Sequence, residues 1–331
     1  MQNNDRRKFK WGIIGPGTIA NLFIQDLCRV EDAEVMAVAS RSGRRAQAFA
    51  GQYDIPLFFD SYAAMLEKAD LDIVYVATPH SFHLEHSLLA MQQGVAVLCE
   101  KPASLNSREM QTLSSYARQH RVFFMEALWT RFIPAIKKIL DLVADGSLGE
   151  VVHVDAAFCF DTPVEPESIL YDREYGGGSL LDVGIYPVFL AYLLLGMPAS
   201  IAAKALLHQT GADQICEMEF SYSGGKRASL KSSIIEDSIK PAIITLTKGQ
   251  IILQPEWHIS PEIIISKIGE PPKRIDCRPS GIGFTHEILE CHRCIEMGLQ
   301  ESPSWSHQNS LDVLHIMDAV REQIGVVYRG E

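Results

Sequence analysis

The chain has 331 residues, with Lys+Arg 30 against Asp+Glu 41 and a formal net charge of −11. Its 47% hydrophobic, 21% charged and 8% aromatic content is globular, which excludes a disordered, collagen-like or coiled-coil chain and fits about two domains. An acidic balance repels phosphodiester backbones, so no nucleic-acid partner is expected.

The first stretch alternates short apolar runs with amphipathic ones. Strands are predicted at 10–14, 34–40, 72–77, 95–99 and 122–125. Helices are predicted at 19–30, 44–53, 61–68, 82–93, 106–120 and 133–144. This βαβα rhythm implies a parallel sheet covered by helices on both faces. After Asp145-Gly-Ser-Leu-Gly149 the period changes. Val152, Val154, Ala156, Phe158 and Phe160 alternate as in a strand. Cys216–Tyr222 and Ala228–Ile234 form a hairpin about Ser223-Gly224-Gly225, and Ile243–Thr247 with Ile251–Leu253 form another. Helices are expected at 179–195, 284–297 and 311–324. The expected architecture is α/β: an N-terminal Rossmann domain with a parallel sheet over residues 1–147, and a C-terminal α+β domain with an open-faced, largely antiparallel sheet over 148–331.

The first strand runs into Gly15-Pro16-Gly17-Thr18-Ile19-Ala20, a G-x-G-x-x-A loop that opens a helix. Gly15 permits the tight turn, Gly17 lets the backbone approach a pyrophosphate, and the N–H groups of Thr18 and Ile19 face it. About 20–25 residues on, NAD sites place a carboxylate against the ribose 2′-hydroxyl. Here the second strand ends at Ser40-Arg41, with Arg44 and Arg45 beyond. A guanidinium clamps a 2′-phosphate where a carboxylate would repel it, so the pattern points to NADP(H). The bland alternative is that these arginines begin a solvated helix.

The next two strands end in Ala77-Thr78-Pro79-His80 and in Glu100-Lys101-Pro102, with His83 close behind the former. Carboxyl ends of parallel strands are where ligands sit. Lys101 is a costly ammonium there unless it moves protons, and Pro102 suits a cis peptide that fixes it. The alternative is a surface turn. Asp182 and Tyr186, at i and i+4, share a helix face, and Pro187 bends the chain beside them. A phenol serves as general acid or base when an ammonium stabilises its phenolate.

The Gly15-x-Gly17-x-x-Ala20 loop, the Thr-Pro run ending at His83 and Glu100-Lys101-Pro102 together resemble the glucose–fructose oxidoreductase/inositol dehydrogenase (Gfo/Idh/MocA) family. The resemblance continues through Glu126–Phe132 and Gly176–Tyr186, and extends from about Lys8 to Tyr328. These later motifs look most like the dihydrodiol dehydrogenase branch, with its NADP-dependent aldose dehydrogenases. The resemblance implies an active site in the cleft between the domains and Lys101 in contact with nicotinamide ribose and substrate hydroxyl. It also implies Trp129 and Arg131 near the nicotinamide, and Phe158, Trp257 and Phe284 lining the substrate pocket. Arg131 serves equally well as an ion-pair partner, and the three aromatics as core. The diol-oxidising members carry a basic residue where this chain has Val151-Val152-His153, a departure that weighs against diols.

The expectation is therefore an NADP(H)-dependent dehydrogenase acting on a CH–OH carbon of a sugar, polyol or trans-dihydrodiol. Lys101, Asp182 and Tyr186 are its catalytic residues, and Gly15, Gly17, Thr18, Ile19, Ser40, Arg41, Arg45, Thr78, Pro79, His80, His83, Glu100, Lys101, Trp129 and Arg131 hold the cofactor. A carbonyl reductase running in reverse and a non-catalytic NADP-binding redox sensor are the alternatives. Substrate choice is expected to rest on the loops around 161–176. No metal is expected: Cys291-His292-Arg293-Cys294 is a lone pair on a helix. Seven scattered cysteines argue against a disulfide framework, and polar Met1–Lys10 lacks the apolar core of a signal peptide. No apolar run is judged to reach the ~18 residues of a membrane span. A cytoplasmic homodimer, joined through the C-terminal sheet, completes the expectation.

Overall fold

The computed structural model describes residues 7–162, 168–237 and 240–328. Part of the polar Met1–Lys10 segment and part of the 161–176 loop therefore lie outside the described residues. In chain order the elements are β1 (Phe9–Ile14), α1 (Thr18–Leu27), β2 (Ala33–Ala39), α2 (Gly43–Gln52), β3 (Leu57–Phe59), α3 (Tyr62–Lys68), β4 (Ile73–Val76), α4 (His83–Gln92), β5 (Ala96–Glu100), α5 (Ser107–His120), β6 (Phe124–Ala127) and α6 (Pro134–Ala144). They continue with β7 (Val151–Cys159), α7 (Ile185–Leu195), β8 (Ser200–Leu207), β9 (Asp213–Ser221), β10 (Arg227–Ser233), β11 (Ala242–Leu246), β12 (Gly249–Leu253), β13 (Glu262–Lys267), β14 (Lys273–Asp276), α8 (Thr285–Glu296) and α9 (His307–Ile324).

Two compact units result. The first takes the chain up to Ser104, Arg108–Trp129 and Ser280–Ser310; the second takes Leu105–Ser107, Thr130–Pro279 and Leu311 onward. The units thus exchange chain at Trp129/Thr130, and α8 returns to the first, so they differ from a single division at 147/148. The reason is a buried carboxylate. Asp26 of α1 has no solvent exposure and accepts the backbone N–H groups of Ile282 (2.9 Å), Gly283 (2.9 Å) and Thr285 (3.3 Å). Nearby, Trp11 Nε1–H donates to His292 Nε2 at 3.0 Å, which puts the imidazole proton on Nδ1, facing Asp32 at 3.1 Å. His292 of the Cys-x-x-Cys stretch is thereby committed to Trp11 of β1 and to Asp32, the residue before β2.

In the first unit six parallel strands lie in the order β3-β2-β1-β4-β5-β6. Strands β1, β4 and β5 are near-continuous apolar runs because both faces are covered. Strand order reverses between β1 and β4, the switch point where open α/β sheets bind ligands.

In the second unit eight strands lie in the order β14-β13-β12-β11-β7-β10-β9-β8. The β7–β10 pair is parallel, and the other pairs are antiparallel. Helix α7 packs on β7 and β10. The helical stretch Arg173–Leu195 is long and apolar enough to span a bilayer, with mean hydropathy 1.7, contrary to the run-length expectation. Its apolar window is 72% buried inside the protein, as befits a core helix.

Candidate active site

The phosphate loop sits at the switch point of the first unit. Gly15 has φ +90, and a Cβ there would lie 2.8 Å from Thr78 Cγ2 and 2.9 Å from the Ala77 carbonyl oxygen, so the loops after β1 and β4 touch through a missing side chain. At Gly17, by contrast, a Cβ would meet nothing within 4 Å. Gly17 is the N-cap of α1, with no side-chain cap and no acidic residue in the first turn. Open space over an uncapped ten-residue helix fits an anionic diphosphate.

At the end of β2, buried Ser40 accepts the Ser42 N–H through its hydroxyl (3.2 Å), and Ser42 caps α2 by accepting the Arg45 N–H (3.4 Å). The exposed Arg41 guanidinium lies 5.2 Å from the centre of the Phe82 ring. That cation–π contact presents the charge from a defined place.

Thr78 and the Lys101 turn are tied by His83. This fully buried ring sets Nδ1 2.7 Å from the Pro102 carbonyl oxygen and Nε2 2.7 Å from that of Thr78. Burial, with His80 beside it, pushes the imidazole down to about 3. It is therefore neutral at pH 7 and donates to one carbonyl at a time. His83 lies inside, beneath the loops expected to meet the cofactor. The Lys101–Pro102 peptide is cis.

Buried carboxylates flank the turn. Glu100 accepts the Tyr75 hydroxyl on one oxygen and the Lys101 N–H on the other (3.2 Å), and Tyr75 stacks on Phe23 at 3.7 Å. Glu126 accepts the Ala103 N–H (2.9 Å), Trp305 Nε1–H (3.1 Å) and the Ser310 hydroxyl (2.6 Å). Glu287, in α8, is fully buried; burial first, then Glu100 and Asp26, hold its carboxyl well above the usual range. Tyr75 and Glu287 carried no motif of their own in the sequence, and Glu126 opened a motif without a role assigned to it; burial and partners expose what they do.

Trp129 stacks on Phe284 at 4.5 Å, and Phe284, fully buried, meets Phe23 edge-on at 5.8 Å. Phe284 thus belongs to an aromatic stack of the first unit, whereas Arg131, Phe158 and Trp257 belong to the second.

In the second unit the chain enters α7 through a π-helical turn, Leu180–Gly184, so Asp182 lies on a widened turn and Tyr186 on the α-helix after it. Pro187 falls in the first turn of α7, just after the π-helical turn, so a residue without an N–H sits close to that junction. Asp213 anchors the entry: its Oδ2 accepts the Ser179 hydroxyl and the Leu180 N–H, both at 2.7 Å. Tyr186 is nearly buried, and its ring is 5.1 Å from Phe158 and 5.5 Å from His258.

These features have counterparts elsewhere. The profile of the oxidoreductase family with an NAD-binding Rossmann fold (Gfo/Idh/MocA) matches residues 9–128, and that of the family's C-terminal domain matches 136–252. The chain belongs to the Gfo/Idh/MocA oxidoreductase family. Among its members, the trans-1,2-dihydrobenzene-1,2-diol dehydrogenase of Xenopus tropicalis is 35% identical over 96% of this chain and 99% of its own length. The enzyme of the same name from Homo sapiens is 33% identical over 96% and 98%. The family fold recurs in the aldose-aldose oxidoreductase of Caulobacter crescentus (TM-score 0.87, 23% identity, 96% and 97% covered). It recurs too in KijD10, a 3-ketoreductase from Actinomadura kijaniata (TM-score 0.86, 24% identity, 96% and 98% covered). The chain is thus a Rossmann-fold oxidoreductase of this family, akin to enzymes that act on small molecules.

Proposed function

We propose that this chain is an NADP(H)-dependent dehydrogenase that moves a hydride between nicotinamide and a CH–OH carbon of a sugar, polyol or trans-dihydrodiol. The observation that carries it is the Lys101 turn, held by Glu100, Glu126 and His83 at the carboxyl end of β5, two strands from the phosphate loop. Bound nicotinamide supplies the two-electron acceptor or donor. Gly15, Gly17, Thr18 and Ile19 cradle the pyrophosphate. Ser40, Arg41 and Arg45 take the 2′-phosphate, with Arg41 propped on Phe82; β2 itself ends in Ser40-Arg41 rather than in an acidic residue. Thr78, Pro79, His80 and Trp129 border the nicotinamide side. Lys101 and Tyr186 move the hydroxyl proton while the C–H bond gives up its hydride and the carbon becomes a carbonyl. Asp182 orients them or the substrate, and Phe158 and Trp257 flank Tyr186 or the wall beside it. The dehydrogenases and the ketoreductase named above support this class; KijD10 itself was crystallised with NADP.

Homodimerisation through the open face of the second sheet is part of the proposal. One register row there joins Glu219, Ser229, Asp155, Ile243, Ile252 and Ile264, with the three isoleucines adjacent and half-buried. An apolar centre with a charged flank suits a self-complementary contact.

The test is NADPH absorbance with aldoses, polyols and trans-dihydrodiols, each with NADP and with NAD. Turnover with NADP preferred over NAD is expected. Lys101→Met should lower kcat at least ~100-fold, the usual worth of a positioned acid–base group, with NADP binding followed separately because Lys101 is also expected at the nicotinamide ribose. A kcat within a few-fold of the parent overturns the proton-transfer role, and tight NADP binding with no turnover on any substrate favours a sensor.

A further inference from the structure

The chain passes from the end of β4 into α4 through a 3₁₀ turn, His80–Phe82, and His86 follows Phe82 at i+4, on the same side of the helix. His86 is 6% exposed. Its ring stacks on Phe82, centres 5.6 Å apart at 17°, and meets the Tyr62 ring edge-on at 4.5 Å. Its Nδ1 lies 3.0 Å from the Thr78 hydroxyl oxygen, a hydrogen-bond distance. Thr78 is also held from the other side, because its Cγ2 fills the space that a Cβ on Gly15 would need. Phe82 in turn carries the Arg41 guanidinium, 5.2 Å from its ring centre. One buried ring thus joins the loop packed against Gly15 to the arginine beyond β2, all within the first unit. Burial holds this imidazole below its ordinary 6.5; Glu85 opposes the shift and Arg41 adds to it, so at pH 7 the ring is mainly uncharged and does not repel the guanidinium.

The consequence falls on Arg41. An exposed arginine gives up rotamer freedom when it clamps a phosphate, and one that already has a defined place gives up less. Arg41 takes its place from Phe82, but Phe82 is itself half-buried at the start of α4 and steadies a charge only as firmly as it is held. His86 holds it from inside. NADP differs from NAD in the 2′-phosphate alone, so a side chain that acts through Arg41 changes one affinity and leaves the other. We infer that His86 is a positioning residue for the 2′-phosphate: its ring fixes Phe82, Phe82 fixes Arg41, and the cofactor preference moves toward NADP. The inference deepens the reading of Arg41 as the 2′-phosphate clamp and rests on it.

The experiment measures Kd for NADP and for NAD by fluorescence titration, with the melting temperature alongside, in the parent and in His86 variants. His86→Asn keeps a hydrogen-bonding group for Thr78 and loses the ring, His86→Phe keeps a ring and loses that bond, and His86→Leu loses both. His86→Asn should weaken NADP ~3- to 10-fold, the worth of an aromatic pair, and leave NAD within ~2-fold. His86→Phe should keep the parent's ratio of the two affinities within ~2-fold, since the ring pair remains. In an Arg41→Ala background, His86→Asn should weaken NADP no further, because the two residues act in series. A His86→Asn that weakens both cofactors equally, leaves both unchanged, or still weakens NADP once Arg41 is gone overturns the positioning role and leaves the 2′-phosphate reading standing. A His86→Phe that loses the preference as fully as His86→Asn does the same. Should His86→Asn fail to fold, His86→Leu is read in its place, with the same expected and overturning results. A parent that binds NADP no tighter than NAD overturns the 2′-phosphate reading and the His86 inference together.

Discussion

Two glycines two residues apart do opposite work. Gly15 is demanded by the protein: φ is +90 and a Cβ would press on Thr78 and Ala77. Gly17 is demanded by nothing in the protein, since its Cβ would enter open space. Gly15→Ala should therefore destabilise the fold by about 2 kcal/mol, read as a lowered melting temperature of the cofactor-free protein. Gly17→Ala should leave that temperature nearly unchanged and weaken NADP binding, read by fluorescence titration. Equal effects on both readouts would refute the distinction. Both glycines were legible in the G-x-G-x-x-A spacing, as were Ser40-Arg41 and Glu100-Lys101-Pro102, because strand ends punctuated by glycine and proline are local signals. His258 was not legible. It owes its place to Phe158, a hundred residues away in sequence, and to a turn held by Thr130 and Trp257.

At the scale of elements, the helix that carries Asp182 and Tyr186 is seated by Asp213. Burial pushes this carboxyl up to about 6 from its ordinary 3.8, against the pull of the Ser179 hydroxyl and Leu180 N–H that it accepts. Gly178, at φ +125, leaves the room for it. Because the folded pKa lies above the unfolded one, the favourable contribution of this group is fully present below about pH 3.8 and is lost as pH rises through 6. The whole effect is about 3 kcal/mol. Asp213→Asn removes the titration, so the stability difference between variant and parent should move in favour of the variant as pH rises from 4 to 7. Chemical denaturation across that range checks it; a difference constant with pH would show that the carboxyl does not titrate there.

The alternating strands and most helices were readable from period. The π turn was not, because its extra residue follows from Ser179 and Leu180 meeting Asp213, a contact across the fold. Strand β8 was also unmarked: Ser200-Ile-Ala-Ala-Lys-Ala-Leu-Leu207 is rich in helix formers, and pairing with β9 overrides that preference. Strands β3 and β14 are short and lie at sheet edges, and β13 beside β14 has a single fully buried residue, Ile263, so all three give little periodic signal.

At the scale of the molecule, the charge of −11 and the apolar row on the second sheet bear on assembly. Solution light scattering should give twice the 36.9 kDa chain mass at micromolar concentration. Ile252→Glu, a charge in the middle of the three isoleucines, should shift that mass toward one chain while NADP binding persists. A parent that scatters as one chain at the highest soluble concentration would remove the dimer.

The anchoring of Asp26 also sets a timetable. Its carboxylate sits in α1, and its N–H donors sit at 282–285, made more than 250 residues later. Until those arrive, a charge must stay hydrated at a place the finished unit seals off, and Trp11 lacks the imidazole that accepts its N–H. The nucleotide half of the chain therefore closes only once residues 282–292 have been made, and a chain halted near residue 147 would present this surface to chaperones in place of a finished fold.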